Sequence, residues 1–235
     1  MDIVEILKPS VQGRNKAFIC RGEDEKIYYV KGSNAGRIRQ CSEWVVGNLA
    51  REFGLPVPAF QLVTVPEILV EAKPEFQAIG AGVAFASEAQ AHAQWFEPGF
   101  LRDVPEKTRL DVLVFDWWVR NDDRMEDNPN LLWDAHSNFL HVIDHDSAFS
   151  PDFTPTLFKN YHIFHEDWQM AFGDLARQAE FSARMADALS IWEEACHNSP
   201  THWIDHSGAR GELFNPAAAL KILERCLTTD NWGMK

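Results

Sequence analysis

The sequence predicts an α+β fold in which a sheet-rich amino-terminal part, residues 1–86, precedes a helix-rich carboxy-terminal part, residues 87–235. Two observations support this division. The first part contains short runs of aromatic and β-branched residues bounded by turn residues, a pattern typical of strands. The second part contains apolar residues at three- and four-residue spacing, which is typical of amphipathic helices. With 235 residues, 46% of them hydrophobic, the chain can form a packed core.

A β-hairpin is the clearest predicted element of the amino-terminal part. The strand-like runs Ala17–Cys20 and Ile27–Val30 flank the charged turn Gly22–Glu25. Lys31 therefore lies at the far end of the second strand. Apolar residues then recur at helical spacing, which predicts a helix over about residues 40–53.

The elements that follow alternate between strand-like and helical patterns. Two further runs are strand-like: Phe60–Val65 and Ile68–Val70. Helical periodicity then dominates three regions: Thr108–Arg120, about Asp167–Cys196, and Asn215–Leu227. Two short strands lie between the first two helical regions: Leu131–Trp133 and Phe139–Ile143. The carboxy-terminal part should therefore be a helical unit with a small sheet inserted into it.

The charge and the amino terminus restrict the possible partners and location. A formal net charge of −13 argues against nucleic acid and membrane surfaces as partners, because both are bound largely through Lys and Arg. Residues 1–5 lack the features of a secretory signal, and the four cysteines are isolated, with no CxxC pair. We therefore expect a cytoplasmic protein with reduced thiols. The sequence leaves open whether it is a monomer or a homodimer.

The polar segment Asn121–Asn130 is the most informative stretch for function, together with residues 144–146 at the end of a predicted strand. Carboxylates and carboxamides at the mouth of two short strands form the oxygen-rich environment that Mg²⁺ prefers. Taken alone, the segment is equally compatible with an acidic surface loop, because Asp, Asn and Pro are the ordinary turn residues.

The order of residues outside this segment favours metal and phosphate chemistry. Four residues occur in the order that phosphoryl transfer requires: Lys31 at a strand end, Glu43 on a helix, Asp123 ahead of two asparagines, and Asp144 at a strand end. In that chemistry a cation neutralises the nucleotide phosphates, and a carboxylate on a helix holds the cation. A second carboxylate orients the attacking hydroxyl, and an asparagine with an aspartate binds the bridging metal ion.

At these residues the sequence resembles the short HipA-like kinases, which are bacterial relatives of the HipA toxin kinase and more distant relatives of the phosphatidylinositol kinases. The similarity extends over roughly residues 11–149 and rests on four motifs: Asn121-x-Asp123-Arg124, Asn128–Trp133, Val142–His145, and Tyr29–Lys31 followed by Gly54–Pro58. It implies a bilobal protein-kinase-like fold that binds ATP and Mg²⁺. It also implies transfer of the γ-phosphoryl group to a hydroxyl, with a protein Ser or Thr as the favoured acceptor.

The resemblance assigns a role to each of the four residues. It makes Lys31 the phosphate-binding lysine and Glu43 its partner on the helix. Glu43 shares a helix face with Val46, Gly47 and Ala50 at i, i+3, i+4 and i+7 spacing, so this face can turn toward a cleft. Asp123 takes the place of the catalytic aspartate, and Asp144 that of the metal-binding aspartate.

Two departures from the family pattern leave alternatives open. The metal-binding asparagine is either Asn128, five residues after the catalytic aspartate, or Asn130, immediately before the next strand. Related kinases often have a glycine where this chain has Asp146. The extra carboxylate could bind a second ion or could stiffen the segment that follows.

The resemblance places the remaining nucleotide contacts on two segments. Gly13, Arg14 and Lys16 occupy the position of the loop over the phosphates, although this loop contains a single glycine. Phe85 and Ser87 fall where a kinase hinge contacts adenine, largely through backbone groups.

Two other functions stay open. A catalytically silent kinase-fold binding module would explain why Asp146 stands where related kinases often have glycine. Against this function, all the polar residues that a kinase needs are retained. A metal-dependent phosphohydrolase would use a cluster of four residues: His141, Asp144, His145 and Asp146. Hydrolases of the HD type carry their His-Asp pair on a helix, however, whereas residues 139–143 are strand-like.

Other conspicuous side chains are expected to have structural roles. Trp117 and Trp118 fall within an apolar helical pattern, which predicts core packing. Five histidines lack the spacing of metal ligands and are expected to be solvent-exposed or to cap helices: His162, His165, His197, His202 and His206.

Overall fold

The computed structural model describes residues 1–11, 17–205 and 211–233. The amino-terminal part is a five-stranded antiparallel sheet with the order β1-β2-β3-β5-β4. Its strands are β1 (Ile3–Pro9), β2 (Phe18–Gly22), β3 (Ile27–Lys31), β4 (Phe60–Val65) and β5 (Gly82–Glu88). The predicted hairpin is present as β2 and β3, and its register pairs Phe18 with Val30 and Arg21 with Ile27.

Helix α1 (Arg37–Phe53) follows the hairpin and ends where the sequence predicts. Gly54 closes it with a φ of 94°, in the left-handed region that favours glycine. The apolar face of α1 packs into the main core of the carboxy-terminal part through side chains such as Val45 and Leu49. The Trp44 indole also donates to the carbonyl of Ala195 at 2.9 Å. Helix α1 therefore joins the sheet to the helical part.

The prediction of a strand at Ile68–Val70 is wrong. These residues lie in the short helix α2 (Glu67–Glu71), which begins directly after Pro66. Ile68 is exposed there, while Leu69 and Val70 are partly buried against the core of the sheet. A short apolar run cannot be assigned to strand or helix by periodicity alone, and a proline at the start of a helix is well tolerated.

The carboxy-terminal part contains a three-stranded sheet of order β6-β7-β8 and several helices. Its strands are β6 (Gln94–Trp95), β7 (Leu131–Asp134) and β8 (Phe139–Val142). Its helices are α3 (Glu106–Val119), α4 (Pro155–Tyr161), α5 (Trp168–Phe172), α6 (Leu175–Leu189), α7 (Trp192–His197) and α8 (Pro216–Leu223). None of the helices in the described ranges is long and apolar enough to cross a membrane.

The helical region predicted over Asp167–Cys196 is divided into α5, α6 and α7. Gly173 ends α5, and the side chain of Asp174 accepts the backbone N–H groups of Ala176 and Arg177 at the start of α6. Such a cap satisfies N–H groups that the helix leaves unpaired, and it explains why the chain restarts the helix here.

The two tryptophans of α3 are buried, as predicted, with exposures of 1% for Trp117 and 0% for Trp118. Their indole N–H groups donate to the carbonyls of Asn231 at 2.6 Å and Leu223 at 2.9 Å. A buried indole needs such a partner, and these bonds tie α3 to the end of the chain. Helix α3 is thus the central helix of the carboxy-terminal part, and the segment that follows it is held against a rigid support.

Candidate active site

Lys31 lies at the end of β3 in contact with three carboxylates, and we call these four residues the Lys31 cluster. Its Nζ donates to Glu43, to Asp144 Oδ1 at 2.8 Å and to Asp146 Oδ2 at 2.9 Å. An ammonium group has three hydrogens, so these three carboxylates use its whole donor capacity. Lys31 is 8% exposed and Glu43 3% exposed. The cluster therefore lies largely out of contact with solvent.

The elements that hold the Lys31 cluster come from both parts of the chain. In β3, alternate side chains face opposite sides of the sheet, so Val30 enters the core while Tyr29 and Lys31 line the cleft. Helix α1 presents Glu43 and Gly47 to the same cleft, whereas Val46 and Ala50 of the predicted face are buried in the core instead. A Cβ atom at Gly47 would lie 3.0 Å from the Phe60 ring, which explains the absence of a side chain there.

Burial and the central charge shift the pKa values within the Lys31 cluster. Burial alone would lower the pKa of Lys31, but the three carboxylates outweigh it and raise that pKa well above its usual value. Burial raises the pKa of Glu43 to about 7 and also raises the pKa of Asp146. Burial acts on Asp144 in the same direction, but Lys31 reverses it and lowers the pKa of this carboxyl. Lys31 is therefore a cation and Asp144 an anion at neutral pH.

Asp123 and both candidate asparagines meet in the loop between α3 and β7. Asn128 Nδ2 donates to Asp123 Oδ2 at 2.8 Å, and Asn130 Nδ2 approaches the same oxygen at 3.3 Å. Asn130 is 1% exposed, and its side-chain oxygen has no hydrogen-bond partner among the described residues. A buried carbonyl oxygen without a partner is costly unless it binds something else.

A cleft of about 270 Å³ opens beside the Lys31 cluster. Five of the residues predicted from the sequence line it: Lys31, Glu43, Phe85, Ser87 and Asp144. Its apolar walls include Phe60, whose ring packs against that of Phe85 at 5.5 Å between centroids. Asp123 and the two asparagines do not line this cleft. The predicted phosphate-loop residues Gly13, Arg14 and Lys16 lie outside the described residues.

Within the part of the chain that the structure describes, the histidines near the site do not belong to a cluster that could bind a metal ion. Among the described residues, Glu43, Asp144 and Asp146 are the acidic, thiol and imidazole side chains close enough to share one metal ion. The His145 ring instead packs edge-on against Phe115 at 5.9 Å, and burial lowers its pKa to about 3. Its backbone N–H donates to Glu43 Oε2 at 2.9 Å. This geometry does not favour the phosphohydrolase alternative.

His162 occupies the C-cap position of α4, which is one of its two expected roles, but the alternative that it is solvent-exposed is wrong. The residue is 2% exposed, and its Nε2 lies 3.1 Å from the carboxylate of Asp116. Spacing along the sequence gives no sign of this contact, because the two residues are 46 positions apart. One signal was available: Asp116 is a lone carboxylate within the apolar run Val112–Val119, and a buried charge requires a partner.

The comparisons with known proteins agree with this geometry. A family model described as HipA-like kinase matches residues 3–235 of the chain. The crystal structure of a Helicobacter pylori proinflammatory kinase, CtkA, is similar with a TM-score of 0.58 at 11% identity, covering 97% of this chain and 94% of that one. The Golgi casein kinase is similar with a TM-score of 0.52 at 11% identity, covering 98% of this chain and 73% of that one. Comparison with curated proteins gives no match. The predicted bilobal, kinase-like α+β fold is confirmed.

Proposed function

This chain belongs to the HipA-like kinase family, and on that premise we propose that it is an ATP- and Mg²⁺-dependent kinase that phosphorylates a hydroxyl of a protein Ser or Thr. Family and fold support a phosphotransferase. The observation that carries the finer proposal is the Lys31 cluster, in which a buried lysine joins Glu43 and Asp144 at the side of a cleft. A lysine held by a helix carboxylate and adjacent to a metal-binding aspartate is the arrangement that kinases require.

The cleft has the chemistry of a nucleotide site. Its apolar wall, including Phe60 and Phe85, suits a purine ring, and the polar groups of β5 around Ser87 can orient the ring's edge. Lys31 lies at one side of this cleft and would contact the phosphates. Glu43 would keep the lysine in place when its other partners move.

Asp144 and Asn130 are the residues that would hold Mg²⁺. Asp144 is ionised because Lys31 lowers its pKa, and Asn130 has a buried side-chain oxygen to which none of the described residues donates a hydrogen bond. Both offer the oxygen ligands that Mg²⁺ prefers, so the residues present fit the ion. An Mg²⁺ ion held by these residues would supply positive charge that offsets the charge of the nucleotide phosphates. The unpartnered oxygen favours Asn130 over Asn128 as the ligand.

Asp123 would orient the acceptor hydroxyl and receive its proton. The amide of Asn128 holds the Asp123 carboxylate at 2.8 Å, which fixes the orientation of the carboxylate. A carboxylate in this position acts mainly in the transition state, where the hydroxyl loses its proton. Asn128 would thus act mainly on Asp123, while Asn130, whose amide approaches Asp123 at 3.3 Å, would offer its side-chain oxygen to the metal.

A protein acceptor is favoured by charge. The formal net charge of −13 disfavours an anionic lipid surface and favours a basic segment of a protein. One structural neighbour is a casein kinase by name, which is consistent with a protein acceptor for this fold. The acceptor residue would approach Asp123 from outside the cleft, because Asp123 does not line it.

Calorimetric titration with ATP, with and without Mg²⁺, tests the nucleotide proposal. Intact-mass measurement after incubation with Mg-ATP and a basic Ser/Thr peptide library then tests transfer. We expect Mg²⁺-dependent binding and a mass increase of one or more phosphoryl groups on peptide or protein. Absence of ATP binding would contradict the proposal. Binding without transfer to any protein hydroxyl would instead support the catalytically silent module. This module is the second candidate function, because three carboxylates already use all the hydrogens of the Lys31 ammonium.

A further inference from the structure

A buried polar network lies beneath the candidate metal site. Asp116, on α3, accepts hydrogen bonds from Arg124 Nε at 2.6 Å and from Asn121 Nδ2 at 3.0 Å, and its Oδ2 lies 3.1 Å from His162 Nε2. Asp116, Arg124 and Asn121 are 0% exposed and His162 is 2% exposed. In the described part of the chain, none of the candidate active-site side chains takes part in these hydrogen bonds. The role of the network is therefore separate from the binding of metal or nucleotide.

The guanidinium of Arg124 also contacts the backbone at Asn130 and directly before Asp144, the two proposed metal ligands. Its Nη1 donates to the carbonyls of Asn130 and Pro129, the latter at 3.3 Å, and to the carbonyl of Ile143 at 3.1 Å. Ile143 N donates in turn to the Asn130 carbonyl at 3.1 Å. One side chain therefore joins the peptide group of Asn130 to the peptide group that enters Asp144.

Both of these ligand residues have an uncommon backbone conformation. Asn130 has a φ of 48° and Asp144 a φ of 59°, in the left-handed region that residues other than glycine rarely adopt. Such conformations persist only where the surrounding structure fixes them, and they direct side chains that a relaxed backbone would turn away. The contacts of Arg124 fall on the carbonyl of Asn130 itself and on the carbonyl directly before Asp144.

The charges of the network are fixed as well. Burial alone would raise the pKa of Asp116, but Arg124 and His162 outweigh it and hold that pKa below its usual range. His162 Nδ1 accepts the N–H of Phe164 at 3.1 Å, so Nε2 carries the hydrogen that is donated to Asp116. The pair of Arg124 and Asp116 is thus a fully buried ion pair with neutral His162 as its third member.

We propose that Arg124 is a positioning residue that holds Asn130 and Asp144 in the conformation needed to bind Mg²⁺. The inference rests on the proposed function, because it assumes that these two residues ligate the metal. Arginine is required because Nε faces Asp116 while Nη1 faces the carbonyls, a fork that the single ammonium of a lysine does not reproduce. His162 and Asp116 hold the guanidinium in place, and Ile163 N donates to the Arg124 carbonyl at 3.0 Å, so the segment after Asp144 is tied to the same residue.

Arg124→Lys and His162→Gln test the proposal, with Arg109→Lys as the matched control. Arg109 makes a similar forked ion pair with Asp167, at 2.7 and 3.2 Å. It does not line the cleft and does not belong to the network around Asp116. We expect Arg124→Lys to raise the Mg²⁺ concentration that half-saturates nucleotide binding by about tenfold, as loss of outer-shell partners of metal ligands does elsewhere. His162→Gln should have a smaller effect in the same direction, and Arg109→Lys none.

A second readout separates failure of this inference from failure of the proposed function. Amide hydrogen exchange at Ile143, whose N–H bonds to Asn130, needs no metal or nucleotide. It should accelerate in Arg124→Lys and His162→Gln but not in Arg109→Lys. If the wild-type protein shows no Mg²⁺-dependent nucleotide binding, the proposed function fails. Unchanged exchange at Ile143 in both network variants would overturn the positioning role. The role would also be overturned if the wild type requires Mg²⁺ for nucleotide binding and both network variants show the same requirement. Should Arg124→Lys fail to fold, His162→Gln decides by the same criteria.

Discussion

Asp146 accepts a hydrogen bond from Lys31 at 2.9 Å, so the residue that stands where related kinases often have glycine contacts the candidate phosphate-binding lysine directly. Glu43 and Asp144 occupy the other two hydrogens of the ammonium. A nucleotide phosphate must therefore displace one carboxylate from Lys31 before it can bind there. Binding of Mg²⁺ by Asp144 would release one hydrogen, which makes metal and phosphate binding interdependent.

Asp146→Asn should strengthen binding of ATP in the absence of Mg²⁺. It replaces a competing carboxylate with a neutral group, and we expect a gain of about threefold to tenfold, within the energy of one charge-assisted hydrogen bond. Isothermal titration with ATP and EDTA measures this directly. A weaker affinity that appears only when Mg²⁺ is present would contradict competition and would assign Asp146 to a second metal ion.

Lys31→Ala should weaken ATP binding by about tenfold or more, roughly 1.4 kcal/mol, because a charge-assisted contact to the phosphates is lost. It should also lower the melting temperature, since three carboxylates lose their cation. Lys26→Ala is the control, because Lys26 makes an exposed ion pair with Glu88 at 2.8 Å near the other end of the same strand. That variant should leave ATP affinity unchanged. Equal ATP affinity in wild type and a folded Lys31→Ala protein would remove Lys31 from the site.

Glu43 should make the stability of the protein depend on pH in a specific direction. Burial raises its pKa from 4.5 to about 7. A carboxyl with a raised pKa binds more protons in the folded than in the unfolded state over this range, so its contribution to stability falls as the pH rises from 4.5 to about 7. The unfolding free energy of the wild type minus that of Glu43→Gln should decrease across this range in urea titrations. Titrating groups outside the Lys31 cluster cancel in the difference. A difference that stays constant or increases with pH would show that the Glu43 pKa is not raised.

Changing Asn130 or Asn128 to alanine should impair different steps, namely metal-dependent nucleotide binding for Asn130 and phosphoryl transfer for Asn128. Asn130→Ala should raise the Mg²⁺ requirement for nucleotide binding, because it removes the oxygen proposed to bind the metal. Asn128→Ala should leave that requirement unchanged and slow transfer, because it releases the Asp123 carboxylate. Mg²⁺ titrations followed by nucleotide fluorescence or calorimetry distinguish the two. The reverse pattern would assign the metal to Asn128.

The elements that the sequence predicted well are those determined by local pattern. The hairpin β2–β3 follows from two short runs of aromatic and β-branched residues around a charged turn, and the placing of Glu43 and Gly47 on one face of α1 follows from i, i+4 spacing. The burial of Trp117 and Trp118 follows from the apolar period of α3. Each of these features depends on residues only a few positions apart, which is why the sequence alone was sufficient.

The features that the sequence did not predict depend on contacts between distant residues. Lys31 and Asp146 are 115 positions apart, and no spacing rule indicates that they share a hydrogen bond. The same limit explains His162, whose partner Asp116 lies on another helix. The strand wrongly predicted at Ile68–Val70 has a different cause, because a three-residue apolar run carries too little periodicity to distinguish strand from helix.

Two aspartates have different proposed roles: Asp144 holds the metal, while Asp123 acts on the acceptor hydroxyl. The most direct test measures Mg-ATP affinity and phosphoryl transfer together in Asp144→Asn and Asp123→Asn. Asp144→Asn should lose most of the Mg²⁺ dependence of ATP binding, since removal of the carboxylate removes much of the attraction for the ion. Asp123→Asn should bind Mg-ATP nearly as well as the wild type, while transfer falls by about a hundredfold or more. If Asp123→Asn instead loses ATP binding while Asp144→Asn retains both binding and transfer, these role assignments are wrong.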